Sequence, residues 1–357
     1  MNIFEILGPV MVGPSSSHTA GAVRIGYISR QLLGEPVKDA TLGLYGSFWL
    51  TGSGHGTPLA LIAGLCGMHP DDARIPRAFA VAKARGMRFR LEQAKETQVP
   101  ESAVLDQMDQ MAKAMEDSIT QYDPAAVTTG KMGGQNGARL VEYNQKGDTL
   151  LGDYLSAVIA AAVQVAESNA CMKRIVAAPT AGSCGVIPAV LITYQKQQGL
   201  SRQELLRALL VSAGIGSVIA ENASISGAQG GCQAEIGSAA AMAAGGLVYL
   251  AGGDNDAIAQ GAAMALKNML GLACDPVAGL VETPCIKRNA AGAANAVVAA
   301  QMALAGIQSV IPPDEVIDAM YEIGCQLPAC LRETSQAGLA TTPTGQKIAE
   351  RLGQNQF

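Results

Sequence analysis

Three cysteines in the second half of the chain lie in sequence contexts that a packed core does not require. Cys232 follows two glycines (GGCQAE), Cys274 precedes Asp-Pro (LACDPV), and Cys285 follows a proline (ETPCIKR). Cysteine thiolates hold iron–sulfur clusters, and a cluster normally takes four of them. Three cysteines would leave one iron open to a substrate, and an open metal position can act as a Lewis acid.

The same three residues also have a simpler interpretation. Cysteine is among the most buried residue types and often serves as a small apolar side chain. Cys274 lies 42 positions after Cys232, and no Cys-x-x-Cys occurs in the chain. Because this spacing is not a standard ligand signature, both interpretations stay open. We expect the other cysteines to be packing residues: Cys66, Cys171, Cys184, Cys325 and Cys330.

Two loops rich in glycine and hydroxyl groups each precede a predicted helix and carry a histidine. The first is Gly13 to Thr19 (GPSSSHT), and the second is Thr51 to Thr57 (TGSGHGT). A helix start with free N–H groups favours a carboxylate or phosphate, although helix capping is the commoner use of serine and threonine there. Glycines on both sides of His55 leave the backbone free to present its imidazole, the commonest general acid–base group.

Polar clusters interrupt the apolar second half of the chain. They include APTAGS at 178–183, ENASISG at 221–227, Lys267 with Asn268, and the run Lys287, Arg288, Asn289 after Cys285. Buried polar groups need partners to offset their desolvation. A ligand, a cluster or the groups themselves could supply those partners, and capping by Thr180 and Ser224 is an equally good explanation of those two residues.

Composition limits the possible functions. Hydrophobic residues make up 49% and charged residues 15% of the chain, with a formal net charge of −5. This balance favours an enzyme with a large interior or a tight oligomer, and we expect a homo-oligomer, a dimer. No basic patch supports nucleic-acid binding, so we expect no such partner. The N-terminal residues lack a secretion signal, so we expect a cytoplasmic protein with reduced thiols and no membrane partner.

At 357 residues the chain is long enough for two domains. Periodicity predicts an α+β protein, with a small α/β domain over 1–95 and a larger all-α domain over 96–357, joined by a polar linker at 92–101. The uncharged stretches 236–253 and 289–313 approach membrane-spanning length, but their alanine and glycine content favours close-packed buried helices.

Predicted elements of the first domain are helices over 20–33, 57–66 and 75–85 and strands over 40–48 and 87–91. In the second domain only helices are predicted, over 102–121, 150–168, 186–197, 201–220, 232–250, 256–270, 290–307 and 314–323. Ser201 and Glu204 have the spacing of a capping box.

Taken together, the motifs resemble the iron–sulfur-dependent bacterial L-serine dehydratases. The resemblance is carried by GPSSSHT at 13–19, YGS at 45–47 with TG and GHGT up to 57, APTAGS at 178–183, NASISGA with GGCQAE at 222–235, and CDPVAGLVETPCIKRNA at 274–290. It covers residues 1 to about 90 as the family's β part and about 100 to 350 as its α part.

The resemblance implies an enzyme that converts L-serine to pyruvate and ammonia. It implies a 4Fe–4S cluster on Cys232, Cys274 and Cys285, with the fourth iron free for the serine hydroxyl. It makes His55 the base for the Cα proton, with His18 as a second catalytic residue. Substrate-binding candidates are Ser15, Ser16, Ser17, Thr19, Thr57, Lys287, Arg288 and Asn289.

The chain departs from the family in having a shortened β part, and in ending without the terminal cysteine that some members carry. Two alternative functions remain at this point. A pyridoxal-phosphate dehydratase would need a Schiff-base lysine, for which Lys267 and Lys287 are conceivable, and a phosphate loop that pairs with it. A non-catalytic iron–sulfur sensor would normally close its cluster with a fourth cysteine.

Overall fold

The computed structural model describes residues 11–12, 16–44, 56–93 and 100–353, with the backbone alone at 16–18 and 93. The chain divides into two compact units, residues 1–99 and 100–357. That division lies four residues beyond the boundary predicted from the sequence. The described residues are mostly helical and contain one two-stranded parallel sheet, which is compatible with the predicted α+β class.

The first unit combines helices with the small sheet, whose first strand buries only alternate residues. Its elements are α1 (Ala22–Leu33), β1 (Asp39–Leu44), α2 (Thr57–Leu65), α3 (Ala78–Ala84) and β2 (Arg88–Gln93). The strands are parallel, with Asp39 opposite Arg88 and Leu44 opposite Gln93. Parallel neighbours require a crossover connection, and α2 and α3 lie in that connection. Positions 45–48 of the predicted first strand lie outside the described residues.

Helices α1 and α2 touch backbone to backbone through two glycines. A Cβ atom added to Gly26 would lie 2.2 Å from the Leu61 carbonyl oxygen, and one added to Gly64 would lie 2.1 Å from the Val23 carbonyl oxygen. Any side chain at either position would force the helices apart. This contact fixes the two helices that follow the predicted histidine loops in the sequence.

Helices are the only regular elements in the described residues of the second unit. Its helices are α4 (Glu101–Thr120), α5 (Asn136–Asn144), α6 (Gly152–Ala170), α7 (Val186–Gln198), α8 (Arg202–Asn222), the single turn α9 (Gly227–Gly230), α10 (Ser238–Leu250), α11 (Asn255–Lys267), α12 (Cys285–Leu304), α13 (Pro313–Gln326) and α14 (Pro343–Arg351).

Helix α10 forms the centre of this unit. All of its residues except Tyr249 are buried, and α7, α8, α11 and α12 pack around it. Its alanine and glycine residues let neighbouring backbones approach closely, as the composition predicted. Among the described helices, α8 alone is long and apolar enough to cross a membrane by length and composition, a test that core helices of globular proteins also pass.

The predicted capping box at the start of α8 is present. Ser201 Oγ accepts a hydrogen bond from the Glu204 amide at 3.2 Å, and the Glu204 carboxylate accepts one from the Ser201 amide at 2.7 Å. Three helices were missed: the single turn α9, and α5 and α14, whose sequences are short and polar. Long-range contacts hold them, such as the hydrogen bond from Arg351 to the Gly130 carbonyl group.

The start of α12 was also predicted wrongly. The sequence pattern placed it at Ala290, whereas the helix begins at Cys285, directly after Pro284. The polar run of Lys287, Arg288 and Asn289 obscured the first turn in the pattern. As a consequence, one of the three candidate cysteines is the first residue of a helix, and the polar run belongs to the turn that follows it.

Candidate active site

The three candidate cysteines come together in the second unit. Cys232 follows α9 and begins a π-helical turn (Gln233–Gly237), Cys274 lies in an extended segment before α12, and Cys285 begins α12. Cys232 and Cys274 are buried, and each thiol affects the ionisation of the other. Cys285 is half-buried and close enough for the charge of Cys232 to act on its thiol.

The three thiols differ in how readily they ionise. The hydrogen bond from Cys274 lowers the pKa of Cys232, burial opposes this shift, and the positive charge of Arg288 adds to it. The same hydrogen bond and burial raise the pKa of Cys274, and burial raises the pKa of Cys285 to about 12. A thiolate at Cys232 is therefore stabilised by its neighbours, and a low thiol pKa favours metal ligation.

Arg288 joins two of the cysteine segments through a buried ion pair. Its Nη1 donates to the Ala273 carbonyl group at 2.7 Å, and its Nη2 donates to Asp275 Oδ1 at 2.9 Å. Ala273 and Asp275 flank Cys274, and Arg288 is one turn into the helix that Cys285 begins. The pair consequently fixes the position of one cysteine segment relative to the other, because a half-buried guanidinium with a fixed fork holds its partners rigidly.

A C-terminal segment, residues 331–339, holds the Cys274 segment from the other side; we call it the strap. The Cys274 amide donates to the Leu331 carbonyl group and the Glu333 amide donates to the Cys274 carbonyl group, both at 2.8 Å. The Leu339 amide donates to Asp275 Oδ2 at 2.8 Å. Cys274 is thus bonded on both sides of its own backbone, as in a strand ladder.

A carboxylate and two glycines complete the surroundings of the thiols. The Cys274 thiol lies 3.9 Å from Glu235 Oε2, and burial raises the pKa of Glu235. A Cβ atom added to Gly227 would lie 2.7 Å from Glu235 Oε2 and 3.2 Å from Cys274 Sγ, and one added to Gly182 would lie 3.3 Å from Glu235 Oε1. Only glycine leaves this space open beside the thiols.

Sequence reasoning missed Glu235 and Asp275. Both signals were present, because Glu235 lies three residues after Cys232, where helical spacing returns a side chain to the same face, and Asp275 directly follows Cys274.

The three predicted substrate residues of α12 differ in burial and in their contacts. Asn289 is buried; its side-chain nitrogen donates to the carbonyl groups of Gly182 and Cys285, and its oxygen accepts from the Gly185 amide. Lys287 is exposed and lines a different cavity, with Arg139. The structure therefore brings Arg288 close to the Cys232 thiol and bonds Asn289 to the Cys285 carbonyl group, whereas Lys287 lies elsewhere. Direct substrate contact by all three stays a prediction.

Lys267, one of the two lysines conceivable for a Schiff base, has hydrogen-bond partners within the protein. Lys267 Nζ donates to the carbonyl group of Ser309 at 2.6 Å and lies 3.3 Å from its hydroxyl group. An ammonium group held in this way is a structural donor at the end of α11. Nothing in its surroundings supports the nucleophilic role that pyridoxal-phosphate chemistry requires.

A glycine-rich loop over 128–137 (TTGKMGGQNG) is fixed by two buried carboxylates, and its role was also missed. Glu282 accepts hydrogen bonds from the Thr128 hydroxyl group and the Gly130 amide, both at 2.6 Å, and from the Met132 amide at 3.0 Å. Glu282 precedes Cys285 by three residues, so the loop is attached directly to the segment that presents this cysteine.

Glu167 on α6 holds the other end of the loop. It accepts from the Gly134 amide at 2.8 Å, from the Asn136 amide and side chain, from the Gly137 amide and from the Tyr122 hydroxyl group. Burial opposes ionisation of Glu167, but the hydrogen bonds outweigh it, so its pKa lies below the ordinary value. Its carboxylate is fully satisfied by the chain itself.

The candidate residues of the first unit are described only in part. His55 and Ser15 lie outside the described residues, and Ser16, Ser17 and His18 are described by their backbone alone, in a π-helical turn (Ser16–Gly21). Thr19 and Thr57 are buried, and each has interactions within the protein. Their roles in substrate binding and catalysis stay predictions.

The residues fit a cluster better than a single ion. Within the described ranges, no three His, Cys, Asp or Glu side chains are arranged to hold one metal ion. In an iron–sulfur cluster each iron takes its own cysteine, so the ligands need not converge on one point. Three gathered thiols, a nearby guanidinium and glycines that leave space beside Cys274 suit such a group.

Comparison with known proteins places these features in a class of enzyme. The family model described as serine dehydratase beta chain matches residues 2–130, and the one described as serine dehydratase alpha chain matches residues 68–340. The chain therefore belongs to the serine dehydratase family and joins the β and α parts in one polypeptide. The family resemblance and the enzyme class predicted from the motifs are confirmed. The α match begins earlier in the chain than expected.

Individual relatives support the same family assignment. The chain is 48% identical over 263 residues to the probable L-serine dehydratase alpha chain of Bacillus subtilis, covering 72% of this chain and 87% of the relative. It is 43% identical over 258 residues to the L-serine dehydratase alpha chain of Peptoniphilus asaccharolyticus, covering 72% and 88%. It is 32% identical to the L-serine dehydratase TdcG of Escherichia coli, covering 95% and 98%.

The comparison with TdcG also shows how this chain is shortened. The alignment runs over 449 positions, whereas this chain has 357 residues in all. Because both sequences are covered almost completely, the difference consists of internal positions that TdcG has and this chain lacks. An internal shortening is therefore confirmed, and its location in the β part stays a prediction.

Proposed function

We propose that the protein is an L-serine dehydratase that uses a 4Fe–4S cluster held by Cys232, Cys274 and Cys285. The observation that carries the proposal is the meeting of these three thiols beside Arg288 and Glu235 in a chain of the serine dehydratase family. With three cysteine ligands, the bound cluster would supply a Lewis acid that makes the serine hydroxyl a better leaving group.

The reaction balances without an added oxidant or reductant. A base removes the proton from Cα, the Cβ–O bond breaks, and water leaves, giving aminoacrylate. Aminoacrylate tautomerises to an imine, and hydrolysis of the imine consumes one water molecule and yields pyruvate and ammonia. The chain must therefore supply one base, a site for the substrate carboxylate and a rigid scaffold for the cysteine ligands of the cluster.

Different parts of the chain meet these needs. Arg288, Asp275 and the strap hold Cys274 in position, and Glu282 attaches the glycine-rich loop to the Cys285 segment. His55 is our candidate base, and the loop Ser15 to Thr19 our candidate carboxylate site with His18 as a second acid–base group; both rest on family resemblance. We also propose a cytoplasmic homo-oligomer acting on free L-serine.

The first test is formation of pyruvate from L-serine by anaerobically reconstituted protein. Because an iron without a protein ligand is open to oxidation, activity should decay in air and return with ferrous iron and a reductant. Protein that is indifferent to air, or is activated by pyridoxal phosphate, would contradict the cofactor assignment.

The second test concerns the base. His55→Ala should keep the cluster and serine binding while kcat falls by roughly 10²–10⁴, the contribution of a general base. Ser16→Ala should raise KM as well, because a carboxylate contact also acts in the ground state. Near-normal kcat in cluster-replete His55→Ala would assign the proton transfer to another residue.

A further inference from the structure

A cavity of about 370 Å³ lies behind the cysteine segment and has no place in the proposed reaction. Helix α9, helix α13 and the strap line it, with polar side chains on one part of its wall and alanine, glycine and methionine on the rest. Ala234 of the π-helical turn lines it, whereas none of the three candidate cysteines does.

Arg332 is the charged residue of this cavity. Its Nε atom is buried and has no hydrogen-bond partner, and its Nη1 donates to the Gln229 carbonyl group at a long 3.3 Å. Among the residues that the structure describes, no carboxylate lies within ion-pair distance of Arg332. The Arg332 side chain therefore lines the cavity with one long hydrogen bond and no counter-charge, and an anion in the cavity would supply that counter-charge.

The walls indicate which kind of anion fits. One guanidinium supplies a single positive charge and a planar fork that matches a carboxylate with two parallel hydrogen bonds. Ser224, Gln229 and Tyr321 add neutral polar groups, and the remaining wall is apolar. A dianion would find no second cation there. We propose that this cavity binds a small monocarboxylate through Arg332.

The position of Arg332 connects the cavity to the cysteine segment. Arg332 pairs with Cys274 in a single parallel β-bridge, and the strap residues on either side of Arg332 make both backbone hydrogen bonds to Cys274. A ligand that orders Arg332 therefore also orders the backbone of a proposed cluster ligand. This inference goes beyond the dehydratase reaction and does not require it.

Cys325 provides a local probe, because it lines the cavity and is exposed. We would alkylate the full-length protein with N-ethylmaleimide under anaerobic conditions and follow each cysteine by mass spectrometry. Pyruvate should slow modification of Cys325 by about tenfold at a concentration of ten times its Kd, as simple protection predicts. Cys171, which is half-buried and lies outside the cavity, should react at an unchanged rate.

Two variants test the role of the guanidinium. Arg332→Gln should abolish the protection, while Arg207→Gln, which changes a half-exposed arginine of α8, should retain it. Ala228→Phe should block the cavity without removing its charge, and it replaces Arg332→Gln if that variant does not fold. Protection that persists in Arg332→Gln or Ala228→Phe, or its absence in the unaltered protein, would refute the site.

A last arm tests the ligand class. Inorganic phosphate at matched ionic strength should protect Cys325 less than pyruvate does. Protection by phosphate alone would overturn the assignment to a carboxylate. Because alkylation is read at one cysteine, the outcome does not depend on turnover, so failure here and failure of the dehydratase proposal are separable.

Discussion

The glycine-rich loop and the cysteine segments are both built around buried reactive groups, but their groups are satisfied to different degrees. Glu167 and Glu282 each accept at least four hydrogen bonds from the loop and its neighbours. The three thiols have each other, one guanidinium and one carboxylate nearby. The loop is complete as folded, whereas the thiols are gathered without comparable partners.

This difference separates a structural region from a functional one. A fully hydrogen-bonded buried carboxylate rigidifies the chain and leaves no group free to react. Gathered thiols beside a space kept open by glycine lose hydration without gaining full hydrogen bonding, although Cys232 and Cys274 also pack in the hydrophobic core. Such an arrangement is understandable when a bound group supplies the missing interactions. We therefore expect substitutions to affect stability at the loop and cofactor content at the cysteines.

The largest expected effect is at the cysteines. Cys274→Ser should abolish both the cluster and dehydration, because a serine hydroxyl does not replace a thiolate ligand of iron. Iron and acid-labile sulfide analysis of the anaerobically purified variant is the measurement. Cys171→Ser, which alters a half-buried cysteine elsewhere in the same unit, is the matched control and should retain full iron. Full iron occupancy in Cys274→Ser would remove the basis of the three-cysteine assignment.

A substitution that disturbs the glycine-rich loop should instead lower the free energy of unfolding. Glu167→Gln keeps the shape of the side chain but places an amide nitrogen against several donors, which we expect to cost roughly 2–4 kcal/mol of unfolding free energy. Urea denaturation of the cluster-free protein measures this. Once folded, the variant should take up iron as the unaltered protein does. A large loss of iron with unchanged stability would mean that the loop belongs to the functional region.

The pH dependence of the same variant sharpens the distinction. The folded-state pKa of Glu167 is depressed, so ionisation of this carboxyl group stabilises the fold. This contribution to the free energy of unfolding is fully present above the ordinary glutamate pKa of about 4.3 and is lost as pH falls through the lower folded-state pKa. The acid limb of the stability curve should therefore be shallower in Glu167→Gln. An unchanged acid limb would indicate that other carboxylates dominate acid unfolding.

Sequence reasoning found the cysteines because glycine and proline around them are local signals. It missed Glu167 and Glu282, because each binds backbone amides that are distant in the sequence. The Gly130 amide lies more than a hundred positions from Glu282, and the Gly134 amide lies about thirty positions from Glu167. A buried carboxylate that binds a loop leaves no pattern near itself, since most of its partners are main-chain groups, which every residue type carries.

Prediction of the helices from the sequence has the same limit, because it uses only local patterns. Long helices with many apolar residues, such as α7 and α8, were predicted close to their observed bounds. Helices α5 and α14 were missed because they are short and polar and depend on contacts with distant segments. The start of α12 was displaced because the polar residues that join the cysteine segments interrupt its pattern. Of these errors, the one at α12 lies in the segment that holds the candidate site.

The smallest expected effect tests the ion pair that joins the two cysteine segments. Asp275→Asn removes the charge that holds Arg288 but keeps the side-chain shape and an acceptor for the Leu339 amide. Outer-shell changes of this kind typically cost 10–100-fold in metal affinity, so we expect the bound cluster to be lost to a chelator roughly tenfold faster. The decay of visible absorbance in the presence of the chelator is the measurement.

The first unit offers a matched control for this variant. Asp39 and Arg88 form an ion pair of similar geometry, at 2.7 Å, but both side chains are largely exposed. Exposed pairs contribute little, so Asp39→Asn should change neither stability nor cluster lifetime. If Asp275→Asn also leaves cluster lifetime unchanged, the buried pair serves packing alone. If both variants shorten it equally, the effect arises from net charge and not from the position of Cys274.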